Sequence, residues 1–392
     1  MKKITYFILL FFSFASCQND EIQNKDSELL QVDLSSSKSI NFSEIFSSVE
    51  IIQFSDYDLV ASIDDIIFSG GKIVSVDNSK QHKVQVFSEK GDFLFSINSK
   101  GNGPGQFVTP QKVVISSSGE SIFIYCPINK KILKFDFSGD FIGEIFLKEI
   151  GLIGDFIEKN DQIIFINVMA ENKEKRIGKV DFSSYLDEPK IYYFNYPTTF
   201  NKIMGGKENF LFFDSDYHYF WFKDFFSNYF IKYNLNGEIQ KEFYLNSNSI
   251  LELDSSKVYQ LYELKNKMEN SSLIKWRESI VELNGYYIIS VEDNFQDIGT
   301  LFIDNSNFEY VLFDSFKNDM DEILEFNSLS SKFGSCVHCY VEVIDSDFVV
   351  NRLSSMDFNF NSFKDQFESI LKDKNENPVI FKYNFRDKFL FE

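Results

Sequence analysis

The sequence predicts an all-β fold, a six-bladed β-propeller with helical insertions in its later blades. One pattern, an apolar strand followed by a short polar turn and a second strand, occurs six times along the chain. The turns of this pattern fall near residues 91, 139, 184, 237, 307 and 386. The first four turns are 45 to 53 residues apart, and a period in this range with one hairpin per repeat is typical of propeller blades. The chain also contains 47 Phe and 19 Tyr, residues that suit half-buried strands.

Each repeat predicts one hairpin, and three of the six turns are marked by glycine, at Gly91, Gly139 and Gly237. Ser184 and Asn307 take the place of glycine in the third and fifth repeats, so the pattern marks these two blades less sharply. A ring of blades protects the edges of its sheets only when the ring is closed. We therefore expect the strand at residues 49–54 to pair beside residues 382–391, which would join the two ends of the chain.

The later repeats contain additional segments. The repeats average about 59 residues, which exceeds the roughly 40–45 residues of a minimal blade. Three segments have apolar residues at helical spacing, and the first two follow polar residues that suit helix starts. Their apolar positions are Val258, Leu261, Tyr262 and Met268; Phe363, Phe367, Ile370 and Leu371; and Met320, Ile323 and Leu324. We therefore predict helical insertions in the fifth and sixth blades.

The N-terminus predicts a secretory signal peptide over residues 1–16. Lys2 and Lys3 precede an apolar run of 12 residues, which is shorter than the roughly 20 residues of a membrane span. The run ends in Phe14-Ala15-Ser16-Cys17, which resembles the lipobox of bacterial lipoproteins. This resemblance implies acylation of Cys17, and more than one acyl chain anchors a protein stably in a lipid bilayer. The alternative is an ordinary secretory signal in which Cys17 is incidental.

The polar, Ser-rich residues 17–38 predict a flexible tether, and residues 39–392 form the predicted propeller domain. The stretch Gln18-Asn19-Asp20-Glu21 resembles a surface-export signal of some Gram-negative bacteria. Together with the lipobox, this resemblance implies a lipid-anchored protein of the outer membrane that is exposed at the cell surface.

Two further segments carry a family resemblance. The segment Gly101-Asn-Gly-Pro-Gly-Gln-Phe-Val-Thr-Pro110 looks like the inter-blade signature of NHL-like six-bladed propellers. Residues 43–54, Ser-Glu-Ile-Phe-Ser-Ser-Val-Glu-Ile-Ile-Gln-Phe, resemble the opening strand of the six-bladed β-propeller lipoprotein family (NHL/TolB-like) of Bacteroides-type bacteria. The resemblance covers about residues 40–392 and implies a fold and an envelope location. It implies no particular reaction or ligand.

The charge of the chain excludes one class of partner. The formal net charge is −20, from 39 basic and 59 acidic residues. A strongly acidic surface repels phosphate backbones, so we expect no nucleic-acid partner. The glycine-rich segment has Gln106 after Gly105 and lacks the Lys-Ser or Lys-Thr that a phosphate-binding loop requires. We therefore expect no nucleotide or other cofactor.

Metal and redox chemistry have little support in the sequence. Cys336 and Cys339 are the only closely spaced cysteines, whereas a structural zinc site needs four ligands. In an oxidising envelope this pair favours a short disulfide or two packed thiols, with a metal or redox role as the alternative. The other potential metal ligands are three histidines, which lie in different blades, and two acidic pairs, which lack the spacing of a calcium loop. They are His82, His218, His338, Asp214, Asp216, Asp345 and Asp347. We expect no metal site.

Residues 217–222 form an aromatic run that includes Trp221. Successive side chains of a strand point to opposite faces of a sheet, so half of the run could stack against sugar rings or aromatic peptide side chains. The alternative, which we favour, is packing between blades, because the sheets of a propeller are buried on both faces.

The remaining candidates for ligand binding are polar residues at the starts of the predicted innermost strands, where a side chain faces the central channel. They are Asp64, Asp65, Gln111, Lys112, Asp155 and Lys202. The leading functional hypothesis is a binding or scaffold protein for a glycan, a peptide or an outer-membrane partner. The alternative is a lyase or hydrolase with its site in the channel, although a propeller fold by itself implies no function.

Overall fold

The computed structural model is an all-β protein whose sheets are arranged as a six-bladed β-propeller, and this confirms the predicted fold class. The residues that the structure describes are 28–167, 175–182, 190–194, 202–204, 211–213, 218–223, 228–250, 258–260, 263, 266, 274–293, 296–321, 323–324, 326, 328–329, 338–355 and 377–391.

Three strands and a short helix precede the first blade. They are β1 (Glu28–Gln31), β2 (Lys38–Asn41), α1 (Phe42–Ile45) and β3 (Phe46–Gln53). Blades one to three each contain four antiparallel strands in chain order. Blade one contains β4 (Asp65–Ser69), β5 (Lys72–Asp77), β6 (Lys83–Ser88) and β7 (Phe93–Ile97). Blade two contains β8 (Lys112–Ile115), β9 (Ser121–Cys126), β10 (Lys131–Asp136) and β11 (Phe141–Phe146). Blade three contains β12 (Ile153–Lys159), β13 (Gln162–Asn167), β14 (Ile177–Asp181) and β15 (Ile191–Tyr193).

The second half of the ring has the same plan with additions. Strands β16 (Lys202–Met204) and β21 (Val258–Gln260) pair in parallel outside the blades. Blade four contains β17 (Leu211–Phe213), β18 (Tyr219–Phe222), β19 (Tyr229–Asn234) and β20 (Ile239–Asn246). Blade five contains β22 (Ile274–Leu283), β23 (Tyr286–Asp293), β24 (Gln296–Asp304) and β25 (Tyr310–Lys317). Blade six contains β26 (Cys339–Ile344) and β27 (Val379–Phe385), with helix α2 (Ser346–Ser355) between them.

The N-terminal strands lie along the outer edges of three successive blades. β1 pairs in parallel with β20 of blade four, and β2 pairs in parallel with β25 of blade five. The assignment of residues 17–38 to a flexible tether is therefore wrong from Glu28 onward. The four residues of β1 are too few to give a clear strand signal, and the open edge of β20 supplies the hydrogen bonds that order it.

The ring is closed by β3, which completes the sheet of blade six. β3 pairs antiparallel with β27, and Val49 lies opposite Tyr383 in the register. This pairing confirms that the first strand of the propeller joins the last blade. The paired segment is 379–385 rather than 382–391. The tail leaves the strand after Phe385 because the backbone N–H of Arg386 donates to the carbonyl oxygen of Ile45 in α1 instead.

Closure of the ring also requires glycine at one turn of blade one. Gly91 has a φ of +91°, and a Cβ atom at this position would lie 2.2 Å from the carbonyl oxygen of Gln53 in β3. The turn between β6 and β7 therefore packs directly on the closing strand. A side chain at residue 91 would need both an unfavourable backbone conformation and a displacement of β3.

Apolar side chains fill the seams between neighbouring blades. The middle strands β5, β9 and β13 are buried on both faces, because each blade lies between two others. The seam between blades one and two contains Val74, Val76, Val84, Val86, Ile122, Ile124 and Leu133. The seam between blades six and one contains Phe54, Ile73, Phe87, Cys339, Val341 and Ile380. The core is thus a ring of seams rather than one central cluster.

The predicted helical insertions are largely absent from the described residues. Residues 258–260 form β21 and residues 274–283 form β22, so the predicted helix is wrong at both ends of its segment. Between them, the described residues Glu263 and Asn266 are helical, as predicted. Residues 320 and 323 form bends and residue 324 has irregular backbone, because the Asp321 carboxylate accepts hydrogen bonds from Asn318, Ile323 and Tyr383. Leu261, Tyr262, Met268 and residues 363–371 lie outside the described residues. Helix α2 was not predicted.

We expect deletion of residues 28–53 to abolish cooperative unfolding, because blade six would lose the strand that closes the ring. Deletion of residues 28–34 alone is the control, because it removes β1 and keeps β3. Circular dichroism and calorimetry during heating would measure both transitions. An unchanged single transition in the longer deletion would contradict the role of β3.

Candidate binding site at the channel mouth

Three charged side chains from consecutive blades meet at one end of the central channel. The innermost strands β4, β8, β12, β17 and β22 are neighbours around the axis in that order. Asp65 begins β4, Lys112 begins β8, and Asp155 lies near the start of β12. Their partners in the register are the penultimate residues of the following strands, Val76, Tyr125 and Ile166. The three residues therefore occupy the same position in three successive blades. We name this end of the channel, where Asp65, Lys112 and Asp155 lie, the channel mouth.

Lys112 forms the centre of this cluster. Its Nζ atom lies 3.3 Å from Oδ1 of Asp155 and 3.9 Å from Oδ2 of Asp65. Asp155 is 1% exposed, and its carboxylate also accepts hydrogen bonds from the backbone N–H groups of Phe156 at 2.9 Å and Leu211 at 3.0 Å. Leu211 begins β17 of blade four. The Asp155 carboxylate therefore links blades two, three and four. Its main role is to stabilise the packing of these blades.

Asp65 and Lys112 differ from Asp155 because they are accessible from the channel. Their side chains are 27% and 17% exposed, respectively. Asp65 Oδ1 accepts a hydrogen bond from the backbone N–H of Ile66 at 2.9 Å. This bond leaves Oδ2 on the side of Lys112. A ligand that enters the channel mouth would therefore meet a carboxylate and an ammonium group side by side.

Burial changes the titration of both accessible groups. Desolvation raises the pKa of Asp65 above its ordinary range, and the neighbouring Lys112 ammonium only partly opposes this. Desolvation alone would lower the pKa of Lys112, but the carboxylates of Asp155 and Asp65 outweigh it and raise this pKa. Lys112 thus remains a cation, whereas Asp65 can hold a proton more easily than an exposed aspartate.

The other channel candidates are placed differently. The Asp64 carboxylate accepts hydrogen bonds from the backbone N–H groups of Asn78 and Ser79 and holds the loop between β5 and β6. The Gln111 backbone N–H donates to the carbonyl oxygen of Tyr125, and the half-buried Gln111 side chain precedes Lys112 at the channel mouth. Lys202 begins β16, outside the blade strands, and its side chain lies outside the described part of the chain.

The ring of Trp221 is not accessible to a ligand, because its side chain is 0% exposed. Its indole N–H donates to Glu282 of blade five at 3.0 Å. Its ring contacts Phe243 and Tyr287, with centroid distances of 5.6 and 5.2 Å. This corrects the prediction of Trp221 as a ligand-binding candidate and agrees with the packing between blades that the sequence favoured. The packing alternative applies, since β18 faces the neighbouring blade.

The cysteine and acidic motifs do not assemble into a metal site in the described part of the chain. Cys339 is buried and disulfide-bonded, but Cys336 lies outside the described residues, so their pairing stays a prediction. Asp345 precedes helix α2, and its carboxylate accepts the backbone N–H of Asp347 at 2.9 Å, as in a helix N-cap. Within the ranges that the structure describes, no group of three or more His, Cys, Asp or Glu side chains is arranged to hold a metal ion.

The N-terminal predictions concern residues outside the described chain. These are the signal peptide over residues 1–16 and acylation at Cys17. From Glu28 onward, the described segments contain no helix that is both long enough and apolar enough to span a membrane.

Sequence reasoning missed an apolar part of the same surface. Ile128 and Leu152 are exposed, at 64% and 38%. Ile128 lies in the loop between β9 and β10, and Leu152 directly precedes β12. Both loops lie at the end of the blades where Lys112 begins β8, as shown by the pairing of Lys112 with Tyr125. An isolated apolar residue in a polar turn, as in Pro127-Ile-Asn-Lys130, was the signal that could have indicated this surface.

The fold and the charged channel mouth define the chain as a six-bladed β-propeller protein with a polar cluster at one end of its channel. The chain belongs to the family described as Domain of unknown function (DUF4934), whose model matches residues 29–384. No curated protein matches the sequence significantly.

Solved structures from Bacteroides share the fold. A protein of Bacteroides fragilis NCTC 9343, described as a candidate exported protein, is 12% identical, with a TM-score of 0.66 over 92% of this chain and 100% of that chain. A member of the DUF4221 family from Bacteroides vulgatus ATCC 8482 is 12% identical, with a TM-score of 0.53 over 87% of this chain and 97% of that chain. At this identity the likeness concerns the fold alone.

We expect Lys112→Met to lower the free energy of unfolding by about 3 kcal/mol, because it leaves the buried Asp155 carboxylate without its ammonium partner. The double variant Lys112→Met/Asp155→Asn should recover part of this loss, since the buried negative charge is then also removed. Urea unfolding monitored by tryptophan fluorescence would measure the stability of the wild type, both single variants and the double variant. The exposed Lys90→Met is the control. Strict additivity of the two substitutions would show that the ion pair is not coupled.

The raised pKa of Asp65 predicts a pH dependence. The folded protein binds the Asp65 proton more tightly than the unfolded chain, so this group favours folding below its ordinary pKa of 3.8. The contribution is lost as the pH rises through the higher pKa of the folded state. Wild-type stability should therefore fall relative to Asp65→Asn as the pH rises above 3.8, as measured by urea unfolding at each pH. A pH-independent difference would argue against the raised pKa.

Proposed function

We propose that the protein is an exported binding protein whose recognition surface is the channel mouth. The observation that carries the proposal is the accessible pair of opposite charges, Asp65 and Lys112, at the entrance to a rigid channel. A buried charge pair that served stability alone would be shielded from solvent, as Asp155 is. Partly exposed polar groups on a rigid concave scaffold are typical of ligand sites. Lys112 is suited to bind an acidic or carbonyl group, and Asp65 to bind an amino or hydroxyl group.

The apolar neighbours favour a peptide over a glycan. Ile128 and Leu152 are aliphatic side chains, and they present no aromatic ring on which a sugar could stack. An aliphatic surface at the same end of the blades as a carboxylate and an ammonium group suits a peptide, which carries apolar side chains together with backbone carbonyl and N–H groups. Trp221, the aromatic candidate for sugar stacking, is buried in a seam between blades.

Export and anchoring extend the proposal to the cell envelope. The Bacteroides fragilis relative in fold carries an exported description, and the sequence has a predicted signal peptide that ends before Cys17. The proposed location is the outer membrane, with the protein held by acyl chains on Cys17 and exposed at the cell surface, as the lipobox and the Gln18-Asn19-Asp20-Glu21 stretch imply. An outer-membrane protein partner fits the same location.

An enzymatic role is the second candidate, and one observation favours it. Asp65 has a raised pKa and remains accessible beside a cation, and such a carboxyl can act as a general acid. A lyase or hydrolase in the channel would show turnover with its ligand, and Asp65→Asn would abolish the reaction. Stoichiometric binding without product formation would support the binding protein instead.

We expect purified protein to bind members of an immobilised peptide library that contain both aliphatic and charged residues. Asp65→Asn and Ile128→Ser should each weaken binding about tenfold, which corresponds to about 1.4 kcal/mol. The matched control is Ile142→Ser, an exposed isoleucine on β11 at 45% exposure, which should bind like the wild type. Calorimetry with the best peptide would give the affinities.

A glycan array tested in parallel separates the two ligand classes. Binding to glycans and to no peptide would replace the peptide assignment. Equal affinities for the wild type, Asp65→Asn and Ile128→Ser would show that recognition takes place elsewhere on the molecule.

A further inference from the structure

A second polar cluster lies inside blade one, on the sheet face that packs against blade six. Ser75 and Asp77 of β5 point to the same face, because alternate residues of a strand share a face. Gln85 of β6 lies directly opposite Ser75 in the register. All three side chains are at most 1% exposed. The cluster continues the face of Ile73 and Phe87, which contact the strands of blade six in the apolar seam.

The cluster is rich in oxygen atoms that have no hydrogen-bond partner. Those buried atoms are Ser75 Oγ, Asp77 Oδ2, Gln81 Oε1 and Gln85 Oε1. The orientation of the Gln85 amide is determined by its Nε2 atom, which donates to Oδ2 of Asp58 at 3.0 Å. The Gln85 oxygen therefore cannot be exchanged with the nitrogen without loss of that bond. A native interior rarely leaves several buried polar atoms of one cluster unsatisfied.

The charge of Asp77 is also uncompensated. Its Oδ1 atom accepts the backbone N–H groups of Lys80 at 2.7 Å and Gln81 at 3.0 Å. Among the described residues, no lysine or arginine nitrogen forms a salt bridge with this carboxylate. Lys80 Nζ donates to the carbonyl oxygen of Ala61 instead, and Lys83, which is paired with Asp77 in the register, is the other lysine of this hairpin end. A fully buried carboxylate without a counter-ion is costly.

Lys83 is committed to a different acid. Its Nζ atom donates to Oδ1 and Oδ2 of Asp58, both at 3.0 Å, and to the carbonyl oxygen of Leu59 at 3.1 Å. An ammonium group has three N–H donors, and these three contacts use all of them. The Lys83–Asp58 pair is therefore neutral as a unit, and the negative charge of Asp77 remains.

We propose that a hard metal cation, Ca²⁺ or Na⁺, binds beside Asp77 in the seam between blades one and six. Carboxylate, amide carbonyl and hydroxyl oxygens, completed by water, are the ligands that such cations prefer. Asp77 Oδ2 supplies the charge, and the oxygens of Ser75, Gln81 and Gln85 are the neutral ligands. Water molecules alone would complete the hydrogen bonds but would leave the carboxylate without a counter-ion. Bound in this seam, the cation would stabilise the contact between the first and last blades.

The test compares thermal unfolding of the full-length protein in EDTA, in 10 mM CaCl₂ and in 200 mM NaCl with choline chloride as the ionic-strength control. We expect Ca²⁺ or Na⁺ to raise the Tm of the wild type by about 2 °C or more, because a ligand that binds only the folded state stabilises it. Asp77→Asn should lose this response. Since the amide oxygen introduced by this substitution can still accept the two backbone N–H groups, the variant should be at least as stable as the wild type in EDTA. Its stability should fall below that of the wild type when the cation is present.

Two further variants keep the result interpretable. Ser75→Ala removes one neutral ligand and should give a smaller response than the wild type. Asp64→Asn changes an exposed carboxylate that holds the same loop and should keep the full response. Titration calorimetry with CaCl₂ or NaCl would give the stoichiometry, expected to be about one cation per chain. Equal responses of the wild type and Asp77→Asn, or no response in any cation, would overturn the proposal.

Discussion

The pairing of β3 with β27 is the constraint on which the rest of the molecule depends. A propeller blade has one apolar face toward each neighbour, so an open ring would expose two such faces at its ends. β3 removes this problem by placing the first strand of the propeller in the sheet of the last blade. The seam between blades six and one then closes over Phe54, Ile73 and Ile380. Gly91 has no side chain at the point where the turn of blade one touches β3.

Closure also creates the channel mouth. In a closed ring the innermost strands come together around one axis, so residues at the same blade position become neighbours although they lie far apart in the sequence. Asp65, Lys112 and Asp155 are related in this way. The ring also separates their roles. Asp155 is buried and bonded to the backbone of blade four, whereas Asp65 and Lys112 remain accessible. The proposed binding site therefore arises because each blade repeats the same strand position, and the charge of the residue at that position differs between blades.

Buried lysines recur where loops cross between blades. Lys83 of blade one donates to Leu59 in the crossing segment before that blade, and Lys131 of blade two donates to Gly103 in the crossing segment before its own blade. Each is paired with one acid, Asp58 or Glu144. These lysines begin the third strand of their blades. The charges hold the glycine-rich and polar crossings that an apolar seam could not order. Asp77 is a buried acid for which the described residues supply no lysine or arginine partner.

The sequence alone was sufficient for the blade architecture, because hairpin turns and apolar alternation are local signals that repeat at a regular period. It also led to Asp65, Lys112 and Asp155, since polar residues at the starts of innermost strands must face the channel. For Trp221 the sequence left both stacking and packing open, because only the neighbouring blade decides which face of β18 is buried. Sequence reasoning failed at Val258, where a three-residue strand has too few positions to show a period, although Glu263 and Asn266 of the same predicted segment are helical. The formation of strands β1 and β2 depends on the open edges of β20 and β25, which exist only once blades four and five have formed. Local periodicity therefore gave the repeating unit, whereas burial, charge pairing and edge strands were decided by contacts between blades far apart in the chain.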